Sequence, residues 1–246
     1  MGKNSLSYIL ALDFDGVVCD SINECMVTSY LAYQESNPGI PQECPALWQS
    51  LFRARRGVVR PSGNYLLLWE WISRFRNLNL SPMQFEELAS EYGDKIQVFE
   101  RIFHSLRDAA IKADPQLFID LNPLYPGVME TWPSLCQVPL YIVSTKDVGA
   151  ISLILQSHHL EVEDVFGRGS GCKAQILCSL AARHKLPAEQ VVFIDDNALH
   201  VADAIAAGVV GVVANWGYGP RNPGLHFSLN AFNEIPVLLS RLSAGR

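Results

Sequence analysis

Two carboxylates, Asp13 and Asp15, directly follow a short apolar stretch at residues 8–12. The composition of that stretch is typical of a strand buried on both faces of a parallel sheet. Side chains two residues apart leave extended backbone on the same side, and Gly16 lets the chain turn away at once. Packing of a hydrophobic core does not require two acids here, so we interpret the pair as residues that carry out chemistry. The alternative is a strand that ends in an Asp-Gly turn with solvated acids.

Polar residues also follow two later apolar stretches. Ser144 ends one of them, Asp195 and Asp196 end another, and Lys173 opens the helical segment that leads into the second. Ligands of an open parallel sheet bind beyond the carboxyl ends of its strands. We therefore expect these side chains to meet the first pair of acids at one edge of a sheet.

Four carboxylates at one edge, those of Asp13, Asp15, Asp195 and Asp196, would repel one another. At about 4 Å and an effective dielectric constant near 20, each pair costs on the order of 4 kcal/mol. One lysine cannot offset this, whereas a hard divalent cation can, and all-oxygen ligand sets select Mg²⁺. The sequence thus predicts a Mg²⁺ site. For Asp195 and Asp196 alone, a helix N-cap with an acidic neighbour is the competing interpretation.

The order of apolar and helical stretches along the chain predicts the fold that carries these residues. Apolar stretches typical of buried strands cover residues 8–12, 138–143, 165–166, 190–194 and 209–214. Helical periodicity separates the later ones, which predicts an α/β class with a doubly wound parallel sheet. Residues 20–122 are helical throughout. We therefore predict a core domain of residues 1–19 and 123–246, with an inserted α-helical domain of residues 20–122.

Composition excludes several functional classes. The chain has 246 residues, of which 49% are hydrophobic and 18% charged, so it can bury a full core. A net charge of −6 argues against nucleic-acid or anionic-membrane partners and favours small ligands. Six cysteines without zinc-type spacing suggest reduced, mostly buried thiols. No secretory signal or apolar run of membrane-spanning length is present, so we expect a cytoplasmic protein.

The ordered set of motifs, DFDGV, an apolar strand ending at Ser144, Lys173 and FIDDN, resembles the haloacid dehalogenase (HAD) superfamily. The branch it resembles has a helical cap inserted after the first motif and a Rossmann-like core. The segments at residues 125–128 and 216–219 are similar to those of phosphoglycolate-phosphatase-type members. No motif of the cap matches.

The resemblance implies roles for individual residues. Asp13 would be the nucleophile that becomes an aspartyl phosphate, and Asp15 the general acid and then base. Ser144 would bind a phosphoryl oxygen, and Lys173 would offset negative charge. Mg²⁺ would be held by Asp13, by the main-chain carbonyl of Asp15 and by the second acid of FIDDN, Asp196. The first acid of FIDDN would be a ligand or would lie just behind the ligands.

Three positions refine the resemblance. Dehalogenases of the superfamily lack an acid at position 15, so its presence favours phosphoryl transfer. His200 stands where many members carry another acid; Asp195 is one substitute for it, and a packing or surface histidine is the alternative. Ala174 follows Lys173 in place of the usual proline, which leaves Lys146 as a lesser candidate for the cationic role.

Substrate selection is expected to lie in the insert, whose hinges we place near residues 16–21 and 121–126. Its basic cluster, Arg53, Arg55, Arg56 and Arg60, is suggestive, although a solvated helix face would look the same. Arg56 is our candidate from this cluster, beside Ser144 and Thr145 in the core.

The resulting hypothesis is a Mg²⁺-dependent phosphatase that hydrolyses a small phosphorylated metabolite and exists as a monomer or homodimer. One alternative is a sugar-phosphate mutase using the same site, because paired acids also occur in β-phosphoglucomutase-like members. The other is a non-catalytic phospholigand- or partner-binding protein.

Overall fold

The computed structural model describes residues 8–77, 79–219 and 227–244. The chain divides into two compact units, a core unit of Met1–Asp20 and Pro123–Arg246, and a helical unit of Ser21–Asn122. Asp20, which the sequence pattern assigned to the insert, belongs to the core unit.

The core unit alternates strands and helices. Its described strands are β1 (Ile9–Leu12), β2 (Leu140–Val143), β3 (Asp164–Phe166), β4 (Val191–Asp195), β5 (Val210–Ala214) and β6 (Ser228–Leu229). The helical unit contains α1 (Ile22–Ser36), α2 (Ala46–Arg55), α3 (Tyr65–Phe75), α4 (Pro82–Tyr92), α5 (Lys95–Ala113) and α6 (Pro115–Asp120). The helices of the core unit are α7 (Val128–Leu135), α8 (Val148–Ser157), α9 (Lys173–His184), α10 (Ala198–Ala206) and α11 (Ile235–Ala244).

All strands of the sheet run parallel, in the order β3-β2-β1-β4-β5-β6. The predicted α/β class with a doubly wound sheet is therefore confirmed. The central strand β1 pairs Leu12 with Ile142 on one side and with Ile194 on the other. The segments that follow β1, β2 and β4 therefore leave the sheet side by side.

Both faces of the sheet are covered. Ala11, Tyr141 and Phe193 pack on one face with Ile176 and Leu177 of α9. The intervening residues on the other face are buried as well, as the full burial of Leu10, Leu12, Ile142, Val192 and Ile194 shows. Burial on both sides explains why these strands are continuously apolar instead of alternating with polar residues.

The helical unit has an aromatic core and a buried ion pair. Trp69 stacks on Phe52 with ring centroids 4.7 Å apart, and Trp69 is fully buried. Arg107 donates two hydrogen bonds to Glu24, at 2.9 and 2.7 Å, and Thr28 donates to the same carboxylate at 2.9 Å. These bonds satisfy the buried charges, as burial of an ion pair requires.

The two chain segments that join the units are hydrogen-bonded to each other inside the core unit. The Asp20 amide donates to Pro123 O at 2.8 Å, and the Tyr125 amide donates to Val18 O at 3.0 Å. Cys19 and Leu124 form an antiparallel bridge between these bonds. We call this pair of segments, residues 18–20 and 123–125, the connecting ladder.

Some local predictions were wrong. The cysteines were expected to be mostly buried, but only Cys19 and Cys25 are, whereas Cys136, Cys172 and Cys178 are exposed. The sequence pattern did not predict α6 and β6, which are six and two residues long. Within the described ranges, no helix combines the length and apolar character needed to cross a membrane.

Candidate active site

The strand period places Asp13 and Asp195 against the first residue of α9. Both acids continue the strand face that carries Ala11 and Phe193, and this face packs on α9. Lys173, which begins α9, therefore lies over the Phe193 ring, with Nζ 5.6 Å from the ring centroid.

Lys173 bridges the two carboxylates. Its Nζ lies 3.1 Å from Asp13 Oδ2 and 2.7 Å from Asp195 Oδ2, and all three side chains are buried. Although burial opposes it, the charges of Asp13 and Asp195 raise the pKa of Lys173 above its usual range. Lys173 therefore keeps its positive charge between the two acids, and the charge-offsetting role expected of it stays a prediction.

The pKa values of the two acids are shifted in opposite directions. Burial raises the pKa of Asp13, and the charge of Asp195 adds to this effect, while Lys173 and a hydrogen bond with Ser144 oppose it. Burial also opposes ionisation of Asp195, but Lys173 and His200 outweigh it and hold the pKa of Asp195 well below its usual range. Asp195 is therefore the fixed anion of the pair.

Asp195 has hydrogen-bond donors at both oxygens. Its Oδ2 accepts from Lys173 and lies 3.1 Å from His200 Nδ1, and its Oδ1 accepts from the Asn197 amide at 2.7 Å. A carboxylate held in this way orients its neighbours. The structure thus gives His200 a specific partner, whereas its sequence position left a packing or surface role open.

Asp15 pairs with a different lysine. Lys146 Nζ lies 3.0 Å from Asp15 Oδ1, and the side chain of Lys146 is completely buried. The sequence analysis listed Lys146 only as a lesser alternative to Lys173. Both lysines lie in the site, and each contacts a different acid of the DFDGV motif.

Ser144 connects these groups. Its side chain is buried, hydrogen-bonds with Asp13, and accepts from the Lys146 amide at 3.3 Å. Thr145, the neighbouring candidate for substrate binding, is exposed. Ser144 is therefore part of the acid–lysine cluster, whereas substrate binding by Thr145 stays a prediction.

Asp196 is enclosed by main chain. Its Oδ2 accepts from the amides of Tyr218 at 2.6 Å and Gly219 at 3.2 Å. Gly16 has a φ of +87°, and a Cβ built on it would lie 2.5 Å from the same oxygen. A Cβ on Gly217 or Gly219 would overlap Asp196 itself. The sequence analysis noted residues 216–219 only as a family-like segment and did not predict these contacts.

The described residues include one group of three potential metal ligands. Ligand atoms of Asp13, Asp195 and His200 lie within 4.8 Å of one another. The ammonium of Lys173 already bridges the two acids of this group, and Asp195 accepts from three donors. Three donors at Asp195 leave it less capacity for a cation, and the expectation that Asp196 accompanies Asp13 at a cation site stays a prediction.

Arg56 is placed differently from the other candidates because it belongs to the helical unit. It is 9% exposed, donates from Nη1 to Val59 O at 3.2 Å, and lies over the Tyr65 ring at 5.0 Å. These contacts give Arg56 a packing role within that unit. Its role in substrate binding stays a prediction.

Several solved structures have a fold similar to that of this chain. No protein-family model and no curated protein matches the sequence. A "predicted phosphoglycolate phosphatase" from Haemophilus somnus is similar over 97% of this chain and 100% of its own, with a TM-score of 0.68 and 18% identity. A haloacid dehalogenase-like hydrolase from Streptococcus pneumoniae is similar over 94% and 98% of the two chains, with a TM-score of 0.63 and 19% identity. The chain has the HAD fold.

The fold-level part of the resemblance carried by DFDGV and FIDDN is thereby confirmed. A further similar structure, described as a HAD hydrolase from Bacillus subtilis, was solved bound to magnesium. It covers 95% of this chain and 99% of its own, with a TM-score of 0.57 and 16% identity. At these identities the similarity establishes the HAD fold, and activity must be argued from the cluster itself.

Proposed function

We propose that the protein is a Mg²⁺-dependent phosphatase that hydrolyses a small phosphorylated metabolite through a phosphorylated Asp13. The observation that carries this proposal is the bridge made by Lys173 between Asp13 and Asp195 at the carboxyl edge of the HAD-fold sheet. Ligands of such sheets bind at this edge. A buried carboxylate beside a permanent cation is suited to nucleophilic attack on a phosphoryl group.

In this proposal Asp13 attacks phosphorus, an Asp13 O–P bond forms, and the ester P–O bond breaks. Lys173 offsets the negative charge that gathers on the transferring group, and Ser144 donates a hydrogen bond to a phosphoryl oxygen. Asp15 gives its proton to the departing alkoxide. It then takes a proton from the water that attacks the aspartyl phosphate, which releases inorganic phosphate and restores Asp13.

The residues present suit Mg²⁺. Asp13, the main-chain carbonyl of Asp15 and Asp196 would supply oxygen ligands, which hard cations prefer. The amides of residues 218 and 219 orient the Asp196 carboxylate. When bound, Mg²⁺ supplies positive charge that favours ionised Asp13 and offsets the charge of the phosphoryl group.

The substrate is proposed to be a small metabolite, because the chain's charge of −6 gives little attraction for nucleic acid or anionic membranes. Thr145 and Arg56 are proposed to contact it. We further propose a cytoplasmic location and a monomer or homodimer.

The test is release of inorganic phosphate from a generic aryl phosphate, measured with Mg²⁺ and then with a chelator. Asp13→Asn should abolish turnover, whereas Asp203→Asn, on the exposed face of α10, should leave it unchanged. Retained turnover in Asp13→Asn would rule out Asp13 as the nucleophile. Isomerised substrate without free phosphate would indicate the mutase, and no turnover across a panel of phosphorylated metabolites would favour a binding protein.

A further inference from the structure

The segment Trp216–Gly219, which follows β5, contacts both Asp196 and the connecting ladder. We propose that Tyr218 is a positioning residue that couples the Asp196 carboxylate to this ladder and thereby sets the affinity of the site for Mg²⁺. This inference rests on the proposed function, because it assigns Asp196 to the cation.

At one end of the segment, the main chain fixes Asp196. The amides of Tyr218 and Gly219 both donate to Oδ2, which leaves this oxygen little freedom to rotate. Gly217 and Gly219 approach Asp196 so closely that a Cβ on either would overlap it. Movement of the segment must therefore move or release Asp196.

At the other end, the Tyr218 side chain holds the ladder. Its hydroxyl lies 3.0 Å from Asp20 Oδ1 and 3.5 Å from Cys19 O, so Asp20 is the better acceptor of its single proton. Tyr125, on the opposite strand of the ladder, hydrogen-bonds with Tyr218, and burial raises the pKa of Tyr125 well above its usual range. Tyr218 thus contacts both strands of the ladder.

Trp216 anchors the start of the segment. Its Nε1 donates to Val17 O at 3.0 Å, one residue before the ladder, and its ring packs edge-on against Phe232. With this anchor in place, loss of the Tyr218 hydroxyl should not unfold the segment, but it removes the link to Asp20 and leaves the donors to Asp196 less firmly held.

The effect on metal binding follows from these contacts. Partners that orient metal ligands typically change metal affinity 10- to 100-fold when they are removed. Tyr218→Phe removes the hydroxyl and keeps the backbone donors, so we expect the lower end of this range, about a tenfold higher Kd for Mg²⁺.

The experiment is calorimetric titration of the full-length protein with Mg²⁺, without substrate. Tyr218→Phe and Asp20→Ala should each raise the Kd about tenfold, and the double variant should raise it no further, because each removes the Tyr218–Asp20 bond through which the coupling is proposed to act. Asp20→Asn keeps an acceptor oxygen and should retain most of the affinity. Tyr8→Phe, which removes a hydroxyl bond to Leu242 O elsewhere in the core unit, is the matched control. Thermal unfolding establishes that each variant is folded.

The outcomes separate the two proposals. Unchanged Mg²⁺ affinity in Tyr218→Phe, or additive effects in the double variant, would overturn the role of Tyr218. The proposed function would not be affected. Affinity that depends on Tyr218, in a protein without phosphatase turnover, would support the inference and overturn the proposed function. Absence of Mg²⁺ binding by the unmodified protein would overturn both.

Discussion

The ammonium group of Lys146 lies 3.0 Å from Asp15 Oδ1, in a position where the lysine side chain has no exposure to solvent. Lys173 makes the corresponding contact with Asp13, 3.1 Å from Oδ2. The two acids of the DFDGV motif therefore have separate cations. This division suits two acids that are proposed to act in different steps, one as nucleophile and one in proton transfer.

Lys146→Met should lower kcat because Asp15 loses the contact that fixes its orientation. Correctly placed acid–base groups contribute on the order of 10²- to 10⁴-fold, and partial loss of placement should cost about 10²-fold. Lys146→Arg, which retains the charge, should recover part of the rate. The measurement is kcat and KM on an aryl phosphate.

Lys112→Met, on the exposed surface of α5, controls for loss of one positive charge. A kcat for Lys146→Met equal to that of this control would mean that Lys146 does not position Asp15.

Asp13→Asn should stabilise the protein when metal is absent. Burial raises the pKa of Asp13, so the ionised form opposes folding. A raised carboxyl pKa contributes stability that is present below the ordinary value of about 3.9 and is lost as pH rises through the folded-state value. The advantage of Asp13→Asn should therefore grow between pH 4 and pH 7, in thermal unfolding with a chelator. A less stable variant at pH 7 would contradict the assigned direction.

Gly219→Ala should destabilise the core unit and weaken Mg²⁺ binding. A Cβ at this position would overlap the main-chain oxygen of Asp196, and overpacking of a tight site costs about 2 kcal/mol. Chemical denaturation and calorimetric titration measure the two effects. Gly39→Ala is the matched control, because a Cβ there meets nothing within 4 Å. Equal behaviour of the two variants would show that the segment yields to the added methyl group.

Arg107→Met should destabilise the helical unit strongly. It leaves Glu24, which is 1% exposed, as a buried anion without its main cation, a change that typically costs about 3–5 kcal/mol. Replacing both residues by leucine should recover much of the loss. Unfolding monitored by tryptophan fluorescence, dominated in this unit by Trp69 and its neighbours, measures the difference. A double variant less stable than Arg107→Met would contradict this account.

Sequence alone predicted those features that depend on short-range pattern. Polar residues at the ends of apolar strands identified Asp13, Ser144 and Asp195, because parallel strands of one sheet end at a common edge. Lys173 was identified because it is the first residue of the helix that leads into β4. Their proximity could be predicted, whereas their catalytic roles stay predictions until the variants are measured.

Other features depend on long-range geometry that carries no local signal. Lys146 follows the strand β2 and Lys173 begins the helix α9. Their positions in the sequence do not indicate that Lys146 contacts Asp15. The donors to Asp196 are main-chain amides. Almost every residue has such an amide, so the sequence does not indicate which residues donate. The two-residue strand β6 is too short for a period to be recognised. Arg56 belongs to a basic cluster in sequence, yet its guanidinium packs on Tyr65.

The connecting ladder also bears on how such a chain can be assembled. Because the exit at Asp20 and the return at Pro123 are joined by a hydrogen bond of 2.8 Å, a bridge of a few residues could close the gap between them. The segment between these points is thus a cassette, one that recombination or protein engineering could excise or exchange while the order and pairing of the six strands stay intact.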